Sequence, residues 1–228
     1  MIRAVVFGFD GTILDTETPA YEAWRSVFQD HGVDLPLSIW AKHVGSSNPS
    51  FKPFEYLQMQ TRRSLDRATV QKERRRRNRV LLAEKTPLPG VVEWLNEAGG
   101  KGLRCGIASS SPREWIVPLL ERTSLSRFFS VIVAEEDVSS TKPDPAVYHL
   151  VASKLGVLPE EVVAVEDTSN GVCASIAAGM LTVAVPNKMT ATQDFAAAHV
   201  ILMSLADETI DQVLSTAPDK GMQRTPCR

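Results

Sequence analysis

Near the start of the chain runs Ala4-Val5-Val6-Phe7-Gly8-Phe9-Asp10-Gly11-Thr12-Ile13-Leu14-Asp15-Thr16-Glu17. Ala4–Phe7 is a short apolar run with two β-branched residues. Such a run predicts a strand buried on both faces, as in a parallel sheet. It breaks into Gly8-Phe9-Asp10-Gly11-Thr12. Small and acidic residues directly after a strand fall at the carboxyl edge of a sheet, where open α/β proteins bind ligands. Taken alone, Asp10-Gly11 reads equally well as a turn.

The rest of the chain supports an α/β sheet. From residue 91 onward, helical and strand patterns alternate: helices over 91–98, 113–122, 145–155, 170–178 and 210–214, and strands over 102–108, 129–134, 162–165 and 181–185, with a weak strand over 200–202. That rhythm predicts a parallel sheet with right-handed crossovers and helices on both faces. Residues 18–32 read as an amphipathic helix carrying Tyr21, Trp24, Val27 and Phe28 at helical spacing and stopped by Gly32. Residues 33–86 lack a β-branched run and hold two helical stretches, about 54–63 and 66–84, so they predict an all-helical insertion. The expected organisation is a Rossmann-like core of 1–15 and 87–228, a helical domain of 16–86, and a polar, flexible tail over 215–228.

Composition narrows the function classes. The chain has 228 residues, 43% hydrophobic and 23% charged, with a formal net charge of −2. These values fit a globular protein and give no push toward nucleic acid or a membrane surface. No apolar run approaches the ~20 residues of a membrane helix. Met1-Ile2-Arg3 enters the first strand directly, leaving no room for a signal peptide. Three cysteines without paired spacing read as free thiols in a reducing compartment, so a cytoplasmic protein is expected. A monomer is the expectation for assembly, although no feature of the sequence reads out oligomeric state. Lys72-Glu73-Arg74-Arg75-Arg76-Arg77-Asn78-Arg79 is most simply a solvated helix surface. Four successive arginines fall ~100° apart and cannot share one face.

Four strand ends or loops carry chemistry: Gly8 with Asp10; Ser109-Ser110-Ser111; Lys142 in Thr141-Lys142-Pro143-Asp144-Pro145; and Glu166-Asp167. Each also has an ordinary reading. Ser109 or Glu166-Asp167 could cap a helix, Lys142 could be an exposed loop lysine, and Asp144 could cap a helix with Pro145 at its first turn. In order along the chain, however, they resemble the four signatures of the haloacid dehalogenase superfamily: strand-Asp-x-Asp-Gly-Thr, strand-Ser, Lys-Pro-x-Pro, and strand-Glu-Asp followed by Asn170-Gly171. The helical insertion resembles the cap of the β-phosphoglucomutase-like phosphatase branch.

That resemblance implies a Mg²⁺-dependent phosphatase acting on a small phosphorylated metabolite through an aspartyl-phosphate. Asp10 would be the general acid and base, and Ser109, Ser110 and Lys142 would hold the phosphoryl oxygens. The metal ligands would be the first aspartate, the backbone carbonyl of Asp10, Asp167 and Glu166, an oxygen-only set that suits Mg²⁺. His43, Gly45 and Ser46 fall in the cap loop expected to face the substrate, although His43 reads equally as a surface residue. A phosphomutase of the β-phosphoglucomutase type is the nearest alternative.

The sequence departs from the pattern at one place. Gly8 stands where the superfamily has its nucleophilic, metal-binding aspartate. Either an active phosphatase has lost its nucleophile in this copy, or the chain is a non-catalytic phosphate-ligand binder. A binder is free to lose Asp10, Lys142 and Glu166-Asp167 as well, and all are retained, which favours the first reading.

Overall fold

The computed structural model describes residues 1–45 and 51–216. It divides into two compact units: Met1–Leu14 with Pro87–Arg228, and Asp15–Thr86.

The first unit is built on six parallel strands: β1 (Ala4–Phe7), β2 (Arg104–Ala108), β3 (Val131–Val133), β4 (Val162–Glu166), β5 (Leu181–Ala184) and β6 (Val200–Ile201), in the order β3-β2-β1-β4-β5-β6. β1 lies at the centre with Phe7 in register with Ile107 on one side and Val165 on the other. Its four residues are fully buried, which is why they read as an unbroken apolar run. The chain leaves β1 toward β2 and β3, then returns to the opposite side at β4. The order therefore reverses between β1 and β4, the kind of switch point at which open sheets bind ligands.

Helices α5 (Val91–Gly100), α6 (Arg113–Arg122), α7 (Ala146–Leu155), α8 (Ser169–Ala177) and α9 (Ile210–Thr216) belong to the same unit. Val147, Tyr148, Val151 and Leu155 of α7 share one apolar cluster with Ala4, Val6, Val133 and Ala164 from the sheet. α9 continues through Ser215 and Thr216, which the sequence reading assigns to the flexible tail. The rest of that tail lies outside the described residues. Cys105 is a buried free thiol, but Cys173 is disulfide-bonded, so the expectation of three free thiols is corrected there.

The second unit is helical: α1 (Glu17–Asp30), α2 (Leu37–Trp40), α3 (Pro53–Thr61) and α4 (Arg67–Ala83). The short α2 and a following 3₁₀ turn, Ala41–His43, were not legible in the sequence. Asp66 caps α4 by accepting from the Thr69 amide at 2.8 Å. The arginine run divides as its angular spacing requires. Arg77 turns toward α1, where it donates to Ser26 and Asp30, and Arg74 lies 5.7 Å over the Trp24 ring. Arg75, Arg76 and Arg79 are exposed. Among the described residues no helix is long and apolar enough to cross a membrane.

Candidate active site

Strands β1, β2 and β4 are neighbours in register, so their carboxyl ends bring together residues distant in sequence. Gly8 follows β1, Ser109 follows β2, Glu166 ends β4 and Asp167 follows it. Lys142, from the loop before α7, completes the group. Its ammonium is buried and donates to the Ala108 carbonyl at 2.8 Å and to Glu166 Oε1. The hydroxyl of Tyr148, in the first turn of α7, donates to the same oxygen. Burial, followed by the Glu166 charge, holds the Tyr148 hydroxyl well above the usual phenol range. Tyr148 therefore stays a neutral donor. A buried carboxylate is costly unless it is paired and hydrogen-bonded, and Glu166 has both kinds of partner.

Glu166 also lies against Gly8. A Cβ built on Gly8 would stand 3.0 Å from Glu166 Oε1 and 2.9 Å from Thr12 Oγ1. Its other oxygen lies over Gly171 in the first turn of α8, where a Cβ would come within 1.9 Å. Glycine at 171 is thus required by the close approach of a carboxylate.

Asp167 is buried and accepts from Thr12 Oγ1 at 3.0 Å and from Asn187 Nδ2 at 2.8 Å. Asn187 also donates to the Gly11 carbonyl at 3.2 Å, tying the loop after β5 to the loop after β1. Asp10 receives Ser111 Oγ on Oδ2 at 2.6 Å and Trp115 Nε1 on Oδ1 at 2.8 Å. Ser109 is buried, and its hydroxyl oxygen accepts from the Ser111 amide at 3.0 Å, while Ser110 is partly exposed.

The structure thus gathers Gly8, Asp10, Ser109, Lys142, Glu166 and Asp167 at one edge of the sheet. In the helical unit, His43 sits on the 3₁₀ turn and stacks on Phe51 with ring centroids 5.1 Å apart, so it is not a loop residue. Gly45 is exposed, and Ser46 lies outside the described residues. Sequence reasoning missed Trp115, Tyr148 and Asn187. Asn187 follows a strand in the same way as the acidic residues do, but an amide carries no signal of its own. Trp115 and Tyr148 lie on helices, among residues that read as packing.

The donors at this edge are all oxygen: the Asp167 and Glu166 carboxylates and the Asp10 carbonyl. They fit Mg²⁺ in kind. Gly8, against Glu166, offers no carboxylate, and among the described residues no group of three or more acidic, histidine or cysteine side chains could hold a metal ion.

The sequence profile of the haloacid dehalogenase-like hydrolases matches residues 5–185. YhcW of Bacillus subtilis strain 168, which bears the name "putative phosphatase", is 44% identical over 195 residues, covering 86% of this chain and 88% of its own. A phosphorylated carbohydrates phosphatase of Thermotoga maritima is 33% identical over 181 residues, 78% of this chain and 82% of its own. The crystal structure of CbbY from Rhodobacter sphaeroides in complex with phosphate superposes with a TM-score of 0.70 at 27% identity, over 91% of this chain and 96% of that one. The chain therefore belongs to the family of haloacid dehalogenase-like hydrolases.

Proposed function

We propose that this chain has the framework of a Mg²⁺-dependent phosphatase for a small phosphomonoester, a phosphosugar or nucleoside-like monophosphate, and that Gly8 occupies the position of its nucleophile. The observation that carries the reading is the buried Lys142 ammonium, held at the carboxyl ends of β2 and β4 on Ala108 and on Glu166, the carboxylate that lies against Gly8. A fixed cation among strand ends is what a phosphoryl group needs for charge stabilisation. Lys142, Ser109 and Ser110 hold the phosphoryl oxygens, and Asp10 gives the leaving oxygen its proton. Asp167, the Asp10 carbonyl and Glu166, directly or through water, would hold Mg²⁺. When bound, the metal neutralises charge on the transferring group. The helical unit Asp15–Thr86 is read as the cap that selects the substrate.

Glycine cannot attack phosphorus. Loss of a covalent nucleophile costs several orders of magnitude, on the order of 10⁴–10⁶ in kcat. The test is phosphate release with Mg²⁺ from a panel of sugar phosphates, phosphoglycolate, nucleoside monophosphates and 4-nitrophenyl phosphate, comparing the chain with its Gly8→Asp variant. Turnover by the variant alone is expected. No release by either protein would sink the phosphatase reading, and equal release by both would sink the role given to position 8.

A further inference from the structure

We propose that Trp115 is a positioning residue for Asp10, and that its indole N–H decides which carboxyl oxygen carries the transferred proton. The inference rests on the phosphatase reading and adds to it a residue outside the four signatures.

The two oxygens of Asp10 face different partners. Oδ1 meets Trp115 Nε1 at 2.8 Å, and Oδ2 meets Ser111 Oγ at 2.6 Å. An indole nitrogen can only donate, whereas a hydroxyl can donate or accept by rotating. A proton on Oδ1 would therefore face the indole hydrogen, while a proton on Oδ2 would face a hydroxyl free to turn and accept it. Oδ1 is held as a permanent acceptor. Oδ2 becomes the oxygen that gains and loses the proton, with Ser111 adjusting to either state.

Both partners are anchored. The Ser111 amide donates to Ser109 Oγ at 3.0 Å, and the Ser111 carbonyl accepts from the Glu135 amide at 3.1 Å. Trp115 lies in the first turn of α6. The start of that helix is pinned by the Arg113 amide on the Glu136 carboxylate (3.1 and 3.2 Å) and by Arg113 Nη2 on Asp137 Oδ2 (2.5 Å) and the Ile132 carbonyl (3.1 Å). The indole is thus fixed relative to the sheet edge and can hold Asp10 in one orientation.

In the Gly8→Asp variant, the new carboxylate bonds to phosphorus as the bond from phosphorus to the leaving oxygen breaks. The electron pair stays on that oxygen, which takes the proton from Asp10 Oδ2 and departs as an alcohol. Water then attacks the phosphorus of the aspartyl-phosphate. Oδ2 takes one of its protons, the phosphate keeps the other, and the carboxylate at position 8 is released with its electron pair.

The test compares Gly8→Asp with Gly8→Asp/Trp115→Phe on two esters: the best sugar phosphate of the panel, whose alkoxide must be protonated, and 4-nitrophenyl phosphate, whose phenolate leaves without a proton. Trp115→Phe should lower kcat/KM for the sugar phosphate about tenfold or more, a fraction of what general acid catalysis supplies. The loss on 4-nitrophenyl phosphate should stay within about threefold, which also reports that the variant is folded. In the unaltered chain, Asp10→Ala should move the Trp115 indole cross-peak in a ¹H–¹⁵N spectrum and leave those of Trp24, Trp40 and Trp94 in place. Equal losses on the two esters, or an unmoved Trp115 cross-peak, would overturn the proposal. Absence of turnover in Gly8→Asp with Trp115 intact is a different failure: it overturns the phosphatase reading, and the role of Trp115 falls with it.

Discussion

An aspartate introduced at position 8 enters space already in use, and the consequence for stability can be worked out. Gly8 is not among the residues with positive φ, so the backbone itself accepts a side chain. The new Cβ would lie 2.9 Å from Thr12 Oγ1 and 3.0 Å from Glu166 Oε1, so both neighbours must yield by a few tenths of an ångström. Glu166 yields reluctantly, because the same oxygen holds Lys142 and Tyr148. Two like charges about 4 Å apart repel by about 4 kcal/mol at an effective dielectric of about 20, and the Lys142 ammonium paired with Glu166 offsets part of that repulsion. To this is added the desolvation of a carboxylate at a buried position, several kcal/mol before hydrogen bonds offset it. Replacing glycine returns about 1 kcal/mol through the unfolded chain. The net expectation is a metal-free variant less stable than its parent by about 2–3 kcal/mol. For a protein of this size that corresponds to a fall in Tm of about 5–10 °C. The assay is thermal unfolding followed by circular dichroism, first in EDTA and then with Mg²⁺. Added Mg²⁺ should raise the Tm of Gly8→Asp by several degrees and that of the parent by less. A variant as stable as the parent in EDTA would refute the crowding and charge argument, and equal shifts with Mg²⁺ would refute the assignment of position 8 as a metal ligand.

Two further outcomes test other parts of the structure. Gly171→Ala puts a better helix former into α8, where alanine ordinarily adds about 1 kcal/mol. Here its methyl carbon would meet Glu166 Oε2 at 1.9 Å, so urea unfolding should show a loss of about 1–3 kcal/mol instead, and an unchanged or higher midpoint would contradict the placement of Glu166. Burial pushes the Cys105 thiol up to about 11, from an ordinary value near 9.0. The folded chain then keeps a proton that the unfolded chain loses between about pH 9 and pH 11. Stability should be fully present below pH 9 and fall through that window by about 2–3 kcal/mol relative to Cys105→Ala, and parallel pH profiles for the two proteins would disprove it.

The elements of the core were legible because their signals are local. Ala4–Phe7 announces a central strand through four apolar residues in a row, and Gly8-Phe9-Asp10-Gly11 marks its end within four more. The alternation from residue 91 onward needs only the two side-chain periods, 3.6 and 2, to be seen. Where a signal was weak or interrupted, it was missed: α2 follows Pro36 and has four residues, too few to show a period. The family resemblance added an order of four strand ends, and it also exposed Gly8 as the departure.

What no local pattern contains is the pairing. Trp115 is 105 residues from Asp10, and Asn187 is 20 residues from Asp167. Nothing in their immediate neighbours distinguishes them from packing or loop residues. They meet those carboxylates because the sheet order β3-β2-β1-β4-β5-β6 sets the loops after β1, β2, β4 and β5 side by side. The same order turns Lys142 and Tyr148 onto Glu166 and leaves that carboxylate against Gly8. Which residues stand at strand ends is written locally, in backbone period and chain breaks. Which of them share protons and charge is set by strand order and register between segments a hundred residues apart, and these exist only in the folded chain.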